Sequence, residues 1–181
     1  MVCNDIVLNH RCRVVELGAG VSTVLLSRLG RQLAAASGFR LVSVEHDDRW
    51  ADWVTHQLAR EAVGRDSVVV RAPLGFHPRA DQDVGWYDES ALTAALDAAF
   101  GADRIDLLVV DGPPAFEGGM GTARAPALPV LWDRLSPGST VVLDDIERPG
   151  EQEVLRRWEE ELSVVFTRHH DAGVAIARLP Q

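Results

Sequence analysis

Three aspartates follow two apolar segments that read as neighbouring strands of one sheet. Asp111 comes directly after residues 105–110, and Asp144 and Asp145 come directly after residues 140–143. Because the carboxyl ends of parallel strands meet at one edge of a doubly wound sheet, these carboxylates should lie close together. Clustered carboxylates repel one another unless a cation neutralises them, and an all-oxygen ligand set suits magnesium. The three residues therefore predict a magnesium site, unless one of them caps a helix and the others face solvent.

A glycine-containing turn within residues 14–23 is the second place where the residue types indicate chemistry. Its candidate cofactor-binding residues are Glu16, Gly18, Gly20, Ser22 and Thr23. An apolar run precedes the glycines and a helical pattern follows them, so the segment reads as a strand, a tight turn and a helix start. The glycines let the backbone turn sharply and let a ligand approach it closely. Ser22 or Thr23 can cap the helix, whose free N–H groups favour an acidic ligand group.

Glu45 ends a second apolar run, residues 41–45, and His46 follows it. An acid at this position is well placed to accept hydrogen bonds from the hydroxyls of a ribose, and we expect His46 to lie near an adenosine. A dinucleotide fold calls for a third glycine where Thr23 stands, so an NAD(P)-dependent oxidoreductase on a Rossmann fold is the weaker alternative. The plainest alternative is an ordinary strand-to-helix turn that binds nothing.

Five stretches of the sequence resemble one enzyme class. Glu-x-Gly-x-Gly at residues 16–20 resembles the first motif of class I S-adenosylmethionine-dependent methyltransferases. The other four are similar to the catechol-type and deoxysugar O-methyltransferases of that class: Trp-Tyr-Asp at 86–88, Asp-Gly-Pro-Pro at 111–114, Arg-Ala-Pro-Ala-Leu-Pro at 124–129 and the stretch 135–148 that contains Asp-Asp. The resemblance extends over roughly residues 14–158.

This resemblance implies an S-adenosylmethionine-dependent enzyme that methylates a hydroxyl of a small molecule with Mg²⁺ assistance. Glu16 then contacts the methionine amino group of the cofactor, and Asp111 also touches the methionine end. Asp111, Asp144 and Asp145 hold the ion, with Asp111 and Asp144 as the catalytic residues. Two features depart from the family: the chain has no lysine to serve as a base, and only about a dozen residues precede the first motif. A protein that binds S-adenosylmethionine without catalysis remains a further alternative.

The elements that must position these residues are predicted from hydrophobic periodicity. Apolar runs alternate with helical patterns, which favours an α/β fold with a Rossmann-like seven-stranded methyltransferase sheet and helices on both faces. The strands expected to be parallel are residues 13–17, 41–45, 67–71, 105–110 and 140–143. The link between residues 163–167 and 174–179 is too short for a parallel crossover, so these form a C-terminal antiparallel hairpin.

Two long connections, residues 72–88 and 112–127, are expected to be loops that border the acceptor site. Trp86 lies in the first of them and is expected to stack on a flat acceptor. Trp50, Trp132 and Trp158 fall on helix faces and are expected in the core.

Composition limits the class of protein. The 181 residues predict one domain, residues 1–181, and the net charge of −9 argues against a general affinity for nucleic acid. The sequence shows neither a membrane-spanning run nor a signal peptide. Cys3 and Cys12 read as reduced thiols, so we expect a cytoplasmic protein. Its expected partner is a small-molecule acceptor, not nucleic acid or a membrane, and a homo-oligomer is left open.

Overall fold

The computed structural model describes residues 1–80, 82–115 and 120–180. Its helices are α1 (Val2–Leu8), α2 (Val21–Ser37), α3 (Asp48–Arg60), α4 (Glu89–Phe100), α5 (Ala127–Leu131) and α6 (Pro149–Leu162). Its strands are β1 (Arg13–Leu17), β2 (Arg40–Glu45), β3 (Ser67–Arg71), β4 (Leu74–His77), β5 (Gln82–Tyr87), β6 (Ile105–Val110), β7 (Leu135–Leu143), β8 (Thr167–His169) and β9 (Val174–Arg178).

Seven strands form one sheet in the order β3-β2-β1-β6-β7-β9-β8. The strands from β3 to β7 in this order are parallel, whereas β9 is antiparallel to both β7 and β8. The chain runs outward from β1 to β3 and then returns to β6 on the other side of β1. The strand order therefore reverses between β1 and β6, which is where open α/β sheets bind ligands. The predicted methyltransferase sheet with its C-terminal antiparallel hairpin is confirmed.

Both faces of this sheet are covered because its central strands are apolar on both sides. Every residue of β6 is buried. One core packs α4, α5 and α6 against the sheet, and a smaller one lies on the opposite face with Leu26 of α2. The sequence pattern did not predict α1, which adds Ile6 to the smaller core. Along the described residues, no helix is both long enough and apolar enough to cross a membrane.

The prediction that residues 72–88 form a loop is wrong. It contains an antiparallel pair, β4 and β5, in which Gly75 lies opposite Trp86. Trp86 is only 1% exposed and meets Tyr87 edge to face at 5.3 Å, so it belongs to the core and cannot stack on an acceptor. Trp50 was predicted to lie in the core, and this prediction is also wrong. The side chain of Trp50 is 43% exposed and stacks on Trp53.

The predicted strand at residues 163–167 is wrong in position, because the observed strand β8 shares only Thr167 with it. Ser163 ends α6 in the left-handed conformation with φ of 54°, and β8 begins only at Thr167. The N–H of Phe166 donates to Glu159 Oε1 at 3.1 Å instead of joining the sheet. The backbone N–H of Phe166, which the apolar pattern predicted to join the sheet, is thus bonded to a side chain of α6.

Replacing Trp86 with alanine should destabilise the protein strongly. Removing a fully buried tryptophan loses transfer free energy and leaves a cavity, which costs about 3–5 kcal/mol of unfolding free energy. The matched control is Trp53→Ala at an exposed position of α3, which should cost roughly 1 kcal/mol or less. Urea unfolding followed by circular dichroism measures both. Equal losses in the two variants would contradict the buried position of Trp86.

Candidate functional site

A cleft of about 560 Å³ opens where the strand order reverses. It lies at the carboxyl ends of β2, β6 and β7 and beside the turn after β1. The predicted site residues that line it are Gly18, Gly20, Ser22, Glu45, His46, Asp111, Asp144 and Asp145. Glu16 and Thr23 are buried beneath the turn. Of the second predicted loop, Gly112 and Pro114 line the cleft, while residues 116–119, including Gly118 and Gly119, lie outside the described residues.

Glu16 and Thr23 brace the turn after β1 from below. Glu16 Oε2 accepts hydrogen bonds from Thr23 Oγ1 and Ser43 Oγ, each at 2.6 Å. Thr23 Oγ1 also accepts from the backbone N–H of Gly20 at 2.8 Å. Since α2 already begins at Val21, Thr23 ties the turn together from within the first helical turn instead of capping the helix. This hydroxyl explains why the third glycine of a dinucleotide motif is replaced here.

The second carboxylate oxygen of Glu16 is a buried polar atom with no protein partner. Glu16 is 1% exposed, and its Oε1 has no hydrogen bond from any described residue. Burial raises the pKa of this carboxyl, while the hydroxyls of Ser22, Ser43 and Thr23 lower it. A buried oxygen without a partner is costly, so Glu16 Oε1 is suited to a cationic or hydrogen-bonding ligand group.

The two glycines of the turn meet different constraints. Gly18 has φ of +92°, and a Cβ there would lie 2.9 Å from the backbone nitrogen of Gly112. Gly18 is therefore required by close packing of the turn after β1 against the turn after β6. A Cβ on Gly20 would meet only Ser22 Oγ, at 3.9 Å, so this glycine leaves open space on the cleft side.

Glu45 is held rigidly at the end of β2. Its Oε1 accepts from the backbone N–H groups of His46 and Asp47 at 2.8 and 2.9 Å, and His46 Nδ1 lies 2.8 Å from the same oxygen. Asp47 caps α3 by accepting from the N–H of Trp50. The carboxylate of Glu45 is thus fixed beside the cleft, and no described hydrogen bond engages its Oε2.

Trp50 is a cleft residue that the sequence analysis missed. Its Nε1 donates to the backbone oxygen of Ala19 at 2.7 Å, which ties α3 to the glycine turn. The available signal was Asp47, because a helix cap there puts Trp50 in the first turn of α3, close to Glu45 and away from the buried helix face.

The three predicted aspartates do come together, and a buried arginine lies among them. Arg124 is 2% exposed. Its Nη2 donates to Asp145 Oδ2 at 3.1 Å and to the backbone oxygen of Asp111 at 2.7 Å, and it lies 3.6 Å from Asp111 Oδ1. Its Nη1 donates to the backbone oxygen of Asp144 at 3.2 Å. Arg124 stands in a short stretch of small apolar residues, and this was the only sequence signal that its charge is buried.

Two further charges complete this cluster. Arg148 Nη1 lies 2.7 Å from Asp145 Oδ2, and Glu151, which is fully buried, lies 3.5 Å from Arg124 Nη1. Burial raises the pKa of Glu151, whereas Arg124 lowers it. Among the residues that the structure describes, no group of three or more His, Cys, Asp and Glu side chains is arranged to hold a metal ion.

Tyr87 lies against the turn after β6 with a buried hydroxyl. It is 2% exposed, it borders the cleft, and its Oη has no hydrogen-bond partner among the described residues. Burial raises the pKa of Tyr87 well above its ordinary value, so the hydroxyl is a neutral donor at physiological pH. The sequence analysis had assigned Tyr87 to a loop.

The comparisons with known proteins agree with this fold. Residues 15–146 match the family model described as a methyltransferase domain, and the chain belongs to this family. No curated protein matches the chain.

Several solved structures share the fold. The O-methyltransferase TomG from Streptomyces achromogenes, in complex with SAM, is 19% identical, with a TM-score of 0.64 over 99% of this chain and 78% of that one. Cofactor-bound Rv0187 from MTB is 18% identical, with a TM-score of 0.68 and coverage of 99% and 78%. The O-methyltransferase from Bacillus cereus in complex with SAH is 16% identical, with a TM-score of 0.66 and coverage of 98% and 78%. The predicted class I methyltransferase fold is confirmed.

Replacing Asp111 with asparagine should stabilise the ligand-free protein at alkaline pH. Partial desolvation in the cleft, which leaves the Asp111 side chain 44% exposed, raises the pKa of this carboxyl to about 7 from 3.8; Arg124 opposes the shift, and Asp144, Asp145 and Glu16 reinforce it. Folding therefore favours the protonated form. Below pH 3.8 the carboxyl is protonated in both the folded and the unfolded state and does not change the free energy of unfolding. As the pH rises from 3.8 toward about 7, the carboxyl lowers the free energy of unfolding increasingly.

Thermal melts at about pH 5 and about pH 8 test this effect, since the linkage extends across that interval. The gain in melting temperature of Asp111→Asn over the parent should be larger at the higher pH. Asp133→Asn, at an exposed position, is the control and should show no such difference. A gain that is equal or larger at the lower pH would contradict the crowded state of Asp111.

Proposed function

We propose that this protein transfers a methyl group from S-adenosylmethionine to a hydroxyl of a small molecule. The observation that carries the proposal is the convergence of the glycine turn, Glu45 and Asp111 on one cleft at the switch point of the sheet. Membership of the methyltransferase family supports the reaction type. The O-methyltransferases of similar fold that were solved with SAM or SAH support the cofactor and the oxygen acceptor.

The residues of the cleft fit an adenosyl cofactor. Glu45 presents a fixed carboxylate to the ribose hydroxyls, and the space at Gly20 admits a ligand close to the backbone. Glu16 Oε1 and Tyr87 Oη are buried and have no hydrogen-bond partner within residues 1–80, 82–115 and 120–180, and a polar ligand end would satisfy them. When bound, the cofactor supplies a methyl group on a positively charged sulfonium. The carboxylates around the cleft favour that charge electrostatically.

The chain contributes orientation first and proton transfer second. Holding an acceptor and a donor in line can supply about 7–11 kcal/mol of the barrier reduction, and the rigid turns after β1 and β6 are suited to this task. Asp111 is our candidate general base, because its side chain lines the cleft between the glycine turn and the end of β7, and its raised pKa suits proton acceptance near physiological pH. Asp144 is held by the N–H of Asp145 on its Oδ1 and is assigned a supporting role in the site.

The predicted magnesium ion does not fit these aspartates as they are arranged. Magnesium requires carboxylate oxygens at about 2.0–2.1 Å in a nearly octahedral arrangement. Asp145 Oδ2 instead faces two arginines, Arg124 and Arg148. We therefore derive no step of the reaction through a metal.

Two alternatives are weaker. An NAD(P)-dependent oxidoreductase is disfavoured by Thr23, whose hydroxyl closes the turn where a third glycine would stand. A protein that binds the cofactor without catalysis has no need for Asp111 and Asp144 at one cleft, yet both line it. The small-molecule acceptor, the absence of nucleic-acid and membrane partners and the cytoplasmic location remain part of the proposal.

Calorimetry should show that S-adenosylhomocysteine binds and NAD does not. Glu45→Gln keeps the side-chain shape but removes the charge, so affinity should fall by roughly 1.5–3 kcal/mol through loss of a charge-assisted ribose contact. The matched control is Glu61→Gln at the far end of α3, where the carboxylate pairs with Arg28 on the surface. Its affinity should equal that of the parent.

Tight NAD binding without S-adenosylhomocysteine binding would refute the proposed activity. Unchanged affinity in Glu45→Gln would remove only Glu45 from the ribose site and would leave the activity to be judged by the nucleotide titration.

A further inference from the structure

Arg124 carries the one buried positive charge among the described side chains around Asp111, Asp144, Asp145 and Glu151. Three backbone oxygens fix its guanidinium: Nε donates to Pro113 at 3.1 Å, Nη1 to Asp144 at 3.2 Å and Nη2 to Asp111 at 2.7 Å. These carbonyls belong to the turns after β6 and β7. The guanidinium is therefore held by the backbone of the strand ends themselves, independently of where the carboxylates point.

The carboxylates then gather around this fixed charge. Asp145 Oδ2 lies 3.1 Å from Nη2 and Asp111 Oδ1 lies 3.6 Å from it, while Glu151 Oε1 lies 3.5 Å from Nη1. Arg148 Nη1 approaches Asp145 Oδ2 from another side at 2.7 Å. Two guanidinium groups thus lie among four carboxyl groups, counting Asp144 at the same edge, and offset part of their negative charge.

A divalent cation at these aspartates would compete with that arrangement. It would have to draw Asp145 Oδ2 away from both arginines and would itself lie close to a buried positive charge that cannot lose its proton. The chain already places two positive charges on Asp145, the carboxylate that a metal ion would have to share. Its absolute lack of lysine leaves arginine as the only permanently charged side chain able to do this.

We propose that the guanidinium of Arg124 takes the place of a divalent metal ion in this site, so that cofactor binding and methyl transfer proceed without metal. The proposal rests on the proposed methyltransferase function. Arg124 acts as a positioning residue: it holds Asp111 and Asp145 at the cleft and balances their charge. Unlike a metal ion, it does not bind the acceptor oxygen directly, so the acceptor proton must pass to a carboxylate.

Manganese binding followed by electron paramagnetic resonance tests this inference, because Mn²⁺ takes oxygen ligands as Mg²⁺ does. The parent protein and the control Arg156→Met, which removes an exposed arginine of α6, should bind no Mn²⁺ in the micromolar range. Arg124→Met should gain one site per chain, because its carboxylates lose their counter-ion. Adding Asp145→Ala to Arg124→Met should abolish that site.

A second readout separates a positioning role from a structural one. Affinity for S-adenosylhomocysteine should be equal within about twofold in chelator and in millimolar Mg²⁺ for the parent, a difference below 0.5 kcal/mol. In Arg124→Met it should be at least tenfold weaker in chelator and should recover with Mg²⁺. General damage to the fold would weaken binding equally in both conditions.

Two results would overturn the inference. One is a parent protein that binds one Mn²⁺ per chain and loses it in Asp145→Ala, a result that stands even where Arg124→Met fails to fold. The other is a folded Arg124→Met that gains no Mn²⁺ site. Failure of the parent to bind S-adenosylhomocysteine under any condition would instead refute the proposed function, whatever the manganese result.

Discussion

Negative charge at the carboxyl ends of β6 and β7, beside the switch point, is the constraint to which the other features of the site respond. The topology brings the ends of β6 and β7 together, and each of these ends carries aspartate. Repulsion between such groups grows as water is excluded, so the fold needs a cation there. Arg124 meets this need from the segment before α5, and its hydrogen bonds to the carbonyls of Pro113, Asp111 and Asp144 join the two strand ends.

The same edge of the sheet is shaped by one close backbone contact. The turn after β1 packs on the turn after β6 so tightly that only glycine fits at residue 18. Thr23 and Glu16 then hold the first turn from below, and Trp50 holds it from α3. A ligand that enters the cleft therefore meets a preorganised wall, and little ordering entropy remains to oppose its binding.

Periodicity predicted the parallel strands well because each is a mainly apolar run, and the central strands β1, β2 and β6 are buried on both faces. It failed where tertiary contacts decide the outcome. Trp86 looked like a loop residue because β4 and β5 are short and lie beside proline and glycine, and their pairing depends on a long-range register. The strand predicted at residues 163–167 begins only at Thr167, and the N–H of Phe166 just before it bonds to Glu159, whose position no local pattern reveals.

The convergence of the residues at the strand ends could be predicted, since topology alone brings Glu45, Asp111 and Asp144 to one cleft, while their roles stay predictions. The group that neutralises these carboxylates could not be predicted from the topology. Residue types indicate that a cation is required, but a metal ion and an arginine meet the same electrostatic requirement. Arg124 lies in a connection with no periodicity, so only its position in space identifies it as the counter-ion.

A crystal structure with S-adenosylhomocysteine and millimolar Mg²⁺ tests the central claim most directly. The account predicts the ribose hydroxyls within hydrogen-bonding distance of Glu45, with Arg124 still bonded to Asp145 and no ion coordinated by the aspartates. A magnesium ion coordinated by Asp111, Asp144 and Asp145, with Arg124 displaced from them, would contradict it, as would a nucleotide bound away from Glu45.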